Sequence, residues 1–200
     1  MEDRKTLRRW STVLTLAFVC VPLLGQSPGT TSSDPRVKFK DGARYLDDLS
    51  TALDMPRESI CKELGRYDCY NDAFRIVLGG VEPYGNAIVE PLETASLTSP
   101  IALDRVALRV CSERVALDVK NPNKAVLFRS GTTDQKWKQA TVNRLYDKLL
   151  QRDASSDEIH RLVGFYDTLA SEGRSGASTA RDWTVLGCFA VASSLESIFY

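Results

Sequence analysis

The chain has 200 residues, 43% of them apolar, and its 26 Lys and Arg balance 26 Asp and Glu. This length suits one domain, and the apolar fraction is that of an ordinary globular protein. Nucleic-acid affinity comes from clustered cations, so the zero net charge removes the electrostatic reason for a nucleic-acid partner. A single histidine leaves few routes to histidine-dependent metal or acid–base chemistry.

The first 25 residues have the pattern of a secretory signal peptide. A basic start precedes an apolar run at positions 10–24, which is shorter than the roughly 20 residues of a membrane-spanning helix. We expect cleavage after Gly25, export to the periplasm or the extracellular space, and no transmembrane span in the mature chain. The alternatives are an uncleaved anchor, a twin-arginine signal at Arg8 and Arg9, and a lipid anchor at Cys20, whose bulky preceding valine fits poorly.

Removal of the signal peptide changes the charge balance of the chain. It takes away four basic and two acidic residues and leaves 22 against 24, a net charge of about −2. Residues 26–40 are rich in Ser, Thr and Pro and are predicted as a flexible leader. Residues 41–200 are predicted as a single helical domain, with a helix and loop part over 41–98 and a helical core over 99–200.

Four cysteines remain in the mature chain, and an even number in an exported protein predicts disulfides. Cys61 and Cys69 lie eight positions apart across Gly65, where a helix end and a turn bring them within bonding distance. Cys111 and Cys188 then pair by default. Free buried thiols, a tetra-thiolate zinc site and a redox-active pair are the alternatives, and the lack of Cys-x-x-Cys disfavours the last two.

Two helices and one ambiguous element are predicted before residue 80. Asp41 can cap a helix over 41–53. Pro56 opens a second helix that Gly65 ends. Residues 72–78 are apolar and suit either a helix or a strand. The residues that the second helix would bury are Ile60, Cys61 and Leu64.

A glycine-rich segment then leads into a long irregular loop that ends near residue 98. The segment lacks the lysine of a Walker motif and the spacing of a dinucleotide-binding motif, so turn geometry explains its glycines. Surface loops often carry binding residues. We therefore regard this segment as a possible partner-binding loop, and its residues are Gly79, Gly80, Glu82 and Tyr84.

Four helices are predicted after this loop. Ser99 caps the first, which runs to about residue 120, and a short extended segment follows over 124–128. The second helix runs over about 133–152. The third begins at Ser155 with a capping box, Ser155 and Glu158. The residues that these three helices bury include Leu103, Val106, Ala107, Val110, Cys111, Val115, Val142, Leu145, Tyr146, Leu149, Leu150, Ile159, Leu162, Val163, Tyr166 and Leu169.

The last predicted helix runs over about 180–199, and Thr179 with Asp182 repeats the capping pattern. It is apolar nearly all round, which is typical of a helix surrounded by others. The predicted fold is therefore mainly α: a compact helical bundle with a long irregular loop, a central C-terminal helix and at most a minor β element.

No constellation of catalytic residues is recognisable. His160, three residues after Asp157, lies near the edge of a helix and is predicted as a surface histidine. Residues 173–177 nearly form Gly-x-Ser-x-Gly but lack the last glycine and join two helices. The adjacent carboxylates Asp47 and Asp48 point in different directions on a helix. We expect no catalytic residue, no cofactor and no metal ligand.

Residues 145–158, 181–183 and 188–200 resemble the helical C-terminal region of large exported bacterial proteins associated with cytochrome c domains. The shared pattern is a Leu-Tyr helix, here with Leu145, then an Arg-containing turn at a capped helix start, here with Arg181, and a closing helix ending in Ser-x-Glu-Phe-Leu-Phe. The whole chain is also similar to small exported myxobacterial proteins of uncharacterised function. This chain has no Cys-x-x-Cys-His haem motif, so the resemblance implies no redox role.

These patterns predict an exported, disulfide-stapled helical protein that acts as a non-catalytic binding or structural module. The expected partner is another exported or membrane-associated protein. The alternatives are an accessory subunit of an exported cytochrome or oxidoreductase system, and an enzyme with an unrecognised site.

Overall fold

The computed structural model describes residues 38–91, 96–131, 133–171 and 176–199. The predicted signal peptide, most of the leader and residues 173–175 of the near-miss Gly-x-Ser-x-Gly segment lie outside the described residues. The described part is mainly α-helical, so the predicted fold class is confirmed. Its elements are α1 (Gly42–Leu53), the hairpin strands β1 (Lys62–Glu63) and β2 (Tyr67–Asp68), α2 (Ser99–Lys120), α3 (Gln135–Leu150), α4 (Ser156–Ser171), α5 (Ala177–Ala192) and α6 (Leu195–Ile198).

Helix α5 is the central element, as its apolar sequence predicts, because it contacts α2, α3, α4 and α6. Trp183 is fully buried, and its indole N–H donates to the Leu162 carbonyl oxygen at 2.7 Å. The helix contains Gly187, where an added Cβ would lie 3.1 Å from the Leu145 side chain. The absence of a side chain at Gly187 therefore lets α3 and α5 approach closely.

The predicted bounds of the last helix, 180–199, are wrong at both ends. The helix starts at Ala177 after Gly176, whose φ of 69° is left-handed, so Thr179 lies inside the helix and caps nothing. It ends at Ala192. Ser194 then caps the separate one-turn helix α6 by accepting the Ser197 N–H at 3.4 Å. A side-chain cap of this kind offers the backbone an alternative to continuing the helix.

Helix α1 begins as predicted, with the Asp41 carboxylate accepting the Arg44 N–H at 2.8 Å. Its inner face includes Tyr45, whose hydroxyl donates to the Ala192 carbonyl oxygen at 2.9 Å. Burial raises the pKa of Tyr45, with a further rise from the negative charge of Asp104. The hydroxyl therefore stays protonated and keeps α1 attached to the end of α5.

The predicted second helix at Pro56–Gly65 is wrong, because residues 62–68 form the hairpin of β1 and β2. Leu64 and Gly65 occupy its turn with φ of 53° and 73°, and Leu64 is 86% exposed rather than buried. Ile60 and Cys61 are buried, as expected. The hairpin satisfies local backbone groups and brings Cys61 to Cys69, as the turn at Gly65 was expected to do.

Two short apolar segments have backbone structures that the sequence pattern alone does not decide. The segment over 72–78 is helical: a π-helical turn, Cys69–Phe74, is followed by further turns up to Gly79. The segment over 124–128, predicted as extended, has extended backbone dihedrals at Ala125. Its N–H groups at Val126, Leu127 and Phe128 donate to the Asp118 carboxylate at 2.7–2.8 Å instead of to another strand.

The predicted N-terminal cap is wrong for α2 and correct for α4. Ser99 is the first residue of α2 rather than its cap, and its hydroxyl donates to the Val77 carbonyl oxygen at 2.6 Å. The capping box of α4 is confirmed, with Ser155 N–H to Glu158 at 2.7 Å and Glu158 N–H to Ser155 at 3.3 Å. Helix α3 is two residues shorter at each end than predicted and is capped by Asp134.

Both predicted disulfides are present in the structure. Cys61 and Cys69 are joined across the hairpin, with Cα atoms 5.5 Å apart. Cys111 and Cys188 join α2 to α5, with Cα atoms 5.8 Å apart. All four cysteines are buried. The second bond joins two packed helices of the core whose cysteines lie 77 positions apart in sequence.

Candidate partner-binding surface

The base of the predicted partner loop is buried. Gly79, with a φ of 85°, and Gly80 are both buried. An added Cβ at Gly80 would lie 2.6 Å from the Arg75 side chain and 2.7 Å from the Tyr70 hydroxyl. The two glycines therefore shape and anchor the loop and offer no surface to a partner.

The loop beyond these glycines is closed by its own backbone. Glu82 and Ile88 exchange hydrogen bonds, with Glu82 N–H to Ile88 O at 2.9 Å and the reverse at 3.2 Å. The Arg75 guanidinium contacts the Glu82 carboxylate at 3.4 Å. Ile88 is half-buried and fixes the second half of the loop. We call residues 79–91, closed in this way, the Tyr84 loop.

Tyr84 lies at the tip of this loop and is 98% exposed. A tyrosine has two rotatable side-chain bonds, a large apolar ring and a polar end, so it offers contact area at a low cost in conformational entropy. Aromatic residues are enriched in protein interfaces. Of the four residues predicted for the partner loop, Glu82 therefore closes the loop and Tyr84 is the one that is almost fully exposed.

Exposed apolar side chains are concentrated around this part of the chain. Of the ten large ones in the described residues, nine fall between positions 64 and 119. They are spread over the hairpin, the Tyr84 loop and helix α2 and do not by themselves define one patch, since single exposed apolar residues need no explanation. These nine are Leu64, Tyr67, Val81, Tyr84, Val89, Leu97, Ile101, Leu108 and Val119.

The charges beside these side chains are largely paired with one another. Arg105 pairs with Glu63 and lies over the Phe74 ring, and Lys62 pairs with Asp68 at 3.4 Å. Although partial burial raises the pKa of Asp68, hydrogen bonds from backbone N–H groups and from Lys62 lower it overall. The surface is therefore apolar with neutralised charge, which suits a protein partner better than a polyanion.

The clefts of the described residues have no evident catalytic chemistry. A cleft of about 1140 Å³ lies between α1, the end of α3 and α6. Its charges include Lys40 and Arg44, which both pair with Asp48 at 3.0 Å. His160 is exposed, as predicted, at the edge of a smaller cleft. Within the described ranges, no three His, Cys, Asp or Glu side chains are grouped to hold a metal ion.

The sequence analysis missed a buried ion pair that organises the core. Arg114 and Asp118, four residues apart on α2, are 2.8 Å apart with almost no exposure. Arg114 also donates to the carbonyl oxygens of Leu53 and Asp54 at 3.2 Å, at the end of α1. The signal in the sequence is a charged pair at i and i+4 on the face that otherwise carries core residues. Its partners are all internal, so its role is structural.

A second ionic cluster joins the ends of three helices. The Arg152 guanidinium donates to Glu158 at 2.8–2.9 Å and to Glu196 at 2.7 Å, and it lies over the Tyr146 ring. Hydrogen bonding to Arg152, followed by the Ser155 N–H, lowers the pKa of Glu158 to about 2. The pKa of Glu196 is lowered as well, first by Arg152. The cluster connects α3, α4 and α6.

Because of this cluster, we expect the folded protein to lose stability in acid. A carboxyl whose pKa is lower in the folded than in the unfolded protein stabilises the fold above the unfolded pKa, near 4.5, and ceases to do so as pH falls towards 2. We expect the difference in thermal midpoint between the protein and its Glu158→Gln variant to shrink over this range. A difference that is constant from pH 7 to pH 2 would contradict the assignment.

The comparisons with known proteins add no relative. A scan against protein-family models, a search of curated proteins and a search of solved structures all found no match. In the part of the chain that the structure describes, no helix is both long and apolar enough to cross a membrane.

Proposed function

We propose that the protein is an exported, non-catalytic binding module that contacts a protein partner through the Tyr84 loop. The observation that carries the proposal is the almost complete exposure of Tyr84 on a loop closed by Glu82 and Ile88 and anchored by Gly80. A large aromatic ring with a polar end, presented on an ordered surface loop, is suited to contact a protein partner.

Export is supported by the two disulfides. Such bonds form and persist in oxidising compartments and are rare in the cytosol. The structural disulfides are compatible with the signal peptide that the sequence predicts. The periplasm and the extracellular space are both oxidising, and we propose that the mature protein resides in one of them, where its partner is another exported or membrane-associated protein.

The proposal is tested by placing a photo-reactive phenylalanine at Tyr84 of the full chain in its native cells. We expect one discrete cross-linked protein in the envelope or secreted fraction, recovered with a chain that lacks its signal peptide and has no free thiol. The matched control carries the same residue at Arg161, which is exposed on α4 and should give no adduct.

Specificity is tested by moving the photo-reactive residue to Val89, also exposed on the loop. Its adduct should disappear in a Tyr84→Ala background, whereas the free energy of unfolding should change by less than about 0.5 kcal/mol because Tyr84 touches little of the fold. Equal adducts from Tyr84 and Arg161, or adducts indifferent to Tyr84→Ala, would contradict the proposal.

The more specific expectations stay predictions. These are the resemblance to the helical region of exported cytochrome-associated proteins and the alternative role as an accessory subunit of such a system. A cross-linked partner that contains a cytochrome domain would favour that alternative. An enzyme with an unrecognised site is the remaining alternative.

A further inference from the structure

Two arginines line one cleft between α1, α3 and the segment over 125–129. Arg129 is exposed, and Arg144 on α3 is half-buried. Within the described ranges, neither guanidinium forms an ion pair with a carboxylate. The cleft measures about 650 Å³, and small-molecule sites measure roughly 300–1,000 Å³. It therefore has the size of a binding site and contains two cations that no described carboxylate neutralises.

The fold occupies one side of the Arg144 guanidinium. Its Nη1 group donates to the Leu127 carbonyl oxygen at 2.6 Å. This guanidinium forms no other hydrogen bond in the part of the chain that the structure describes. A guanidinium has several N–H donors in a rigid planar fork. The Nε and Nη2 groups of Arg144 therefore keep their donors for a ligand or for water.

The charges near Arg144 do not neutralise it. Burial lowers the pKa of Arg144, the positive charge of Arg129 lowers it further, and Asp118 acts in the opposite direction. The Asp118 carboxylate is already occupied, because it pairs with Arg114 and accepts the three N–H groups over 126–128. Arginine side chains stay charged in proteins. Two positive guanidiniums thus repel one another in this cleft, and a bound anion relieves the repulsion.

Both arginines extend from backbone that the fold holds in place. Asp118 anchors residues 126–128, and the Trp137 indole N–H donates to the Arg129 carbonyl oxygen at 2.8 Å. Arg144 lies in the middle of α3. A ligand therefore finds the two attachment points already in position, which reduces the ordering cost of binding.

We propose that this cleft binds the carboxylate group of a small organic acid or amino acid. A carboxylate accepts two parallel hydrogen bonds from one guanidinium fork, and such charge-assisted bonds are among the stronger ones in proteins. Lys148, one turn after Arg144 on α3, lines the same cleft and adds to its attraction for an anion. No lining residue belongs to the Tyr84 loop, so this site is additional to the proposed protein contact.

The acidic side chains of the cleft limit the charge of its ligand. Asp54, Asp147 and Asp153 also line it, and none of their carboxylates forms an ion pair within the described ranges. These three acids balance the three cations. A carboxylate monoanion therefore meets less repulsion than a phosphate dianion or a nucleic acid. In an amino acid, the ammonium group has carboxylates in the same cleft to contact.

The ligand class is tested by nuclear magnetic resonance on the purified, isotope-labelled protein with both disulfides intact. N-acetylalanine, which has a carboxylate and no ammonium group, should shift the Nε–H signals of Arg129 and Arg144 with a dissociation constant on the order of 1 mM. Alanine amide, which has the ammonium group alone, should leave them unchanged. Phosphate at the same ionic strength should bind more weakly. No saturation by N-acetylalanine up to about 20 mM, or tighter binding of phosphate, overturns the proposal.

Alanine itself distinguishes the two sources of the carboxylate. Tighter binding of alanine than of N-acetylalanine assigns the site to amino acids, because the aspartates then contact the ammonium group. Weaker binding of alanine assigns the site to organic acids without an ammonium group. Either order supports a carboxylate site.

Variants of the two arginines locate the site. Arg129→Gln should raise the dissociation constant of N-acetylalanine at least about tenfold. Arg144→Lys keeps the positive charge but loses the planar fork, so it should weaken binding as well. The matched control is Arg161→Gln, at an exposed arginine of α4, which should leave the dissociation constant unchanged. An Arg129→Gln protein with the affinity of the parent overturns the proposal.

The stability of Arg129→Gln separates a binding role from a structural one. The Arg129 side chain has no hydrogen-bond partner among the described residues, and its removal relieves repulsion on Arg144. Without ligand, the thermal midpoint of the variant should therefore equal or exceed that of the parent. N-acetylalanine should raise the midpoint of the parent and leave that of the variant nearly unchanged. A ligand-free variant that melts several degrees below the parent would assign Arg129 to the fold and overturn the site.

Discussion

Replacing Asp118 with alanine should lower the free energy of unfolding by about 3–5 kcal/mol, because it leaves the Arg114 charge buried without its partner. The same change removes the acceptor for three N–H groups at positions 126–128. Since the total stability of a domain is about 5–15 kcal/mol, the variant should unfold at a much lower urea concentration, measured by circular dichroism.

Two further variants define the cause of this loss. Asp118→Asn keeps the size of the side chain but replaces one carboxylate oxygen with an NH₂ group, which donates hydrogen bonds. This group would face the backbone N–H groups at 126–128, which are donors too, so the variant should lose most of the same stability. Asp147→Ala, at an exposed aspartate of α3, should change the free energy of unfolding by less than about 0.5 kcal/mol. An Asp118→Ala protein within about 1 kcal/mol of the parent would show that the buried pair is not needed.

Removal of the Cys111–Cys188 disulfide by alanine at both positions should cost about 4 kcal/mol. The bond closes a loop of 77 positions, and the loss of chain entropy in the unfolded state grows with loop length. The matched control is the double alanine variant at Cys61 and Cys69, whose bond closes only eight positions and should cost about 2.5 kcal/mol. Chemical denaturation of both variants beside the parent gives the comparison.

The order of the two losses is the part of this prediction that can be contradicted. Equal losses, or a larger loss for the hairpin disulfide, would mean that local strain or residual structure in the unfolded chain outweighs loop entropy. Removing the long-range bond should also separate the unfolding of α2 from that of α5. Removing the short one should leave the helices formed, because it joins no two helices, although Cys61 and Cys69 pack in the main hydrophobic core.

The later helices could be predicted because their signals are local. The capping box of Ser155 and Glu158 and the apolar periodicity of α3 and α4 depend on residues within a few turns of one another. The disulfide pairing followed from sequence spacing in the same way. The predicted helix ends were less accurate. Ser194 caps the separate helix α6, so the long apolar segment forms two helices instead of one.

The errors fall where distant contacts decide the structure. Residues 56–65 have a helical start signal at Pro56, yet the bond between Cys61 and Cys69 and the left-handed turn at Leu64 and Gly65 favour a hairpin. The segment at 124–128 was predicted as extended, but its anchoring by the Asp118 carboxylate was not. Helix propensity at 56–65 does not show the hairpin, because tertiary context overrides it.

The candidate surface was predicted in part. Turn composition identified the Tyr84 loop, but it could not separate the glycines that anchor the loop from the tyrosine that the loop exposes. That separation depends on the approach of Gly80 to Tyr70 and Arg75, which the fold determines.

The contact between Tyr45 and Ala192 affects when the chain can fold. The two residues are 147 positions apart, and Lys40 likewise donates its backbone N–H to the Ile198 carbonyl oxygen. Helix α1 therefore cannot complete its packing until almost all of the chain has been synthesised and is available. Contacts of such long range form slowly, so the packing of α1 against the C-terminal helices is expected to be a late step of folding.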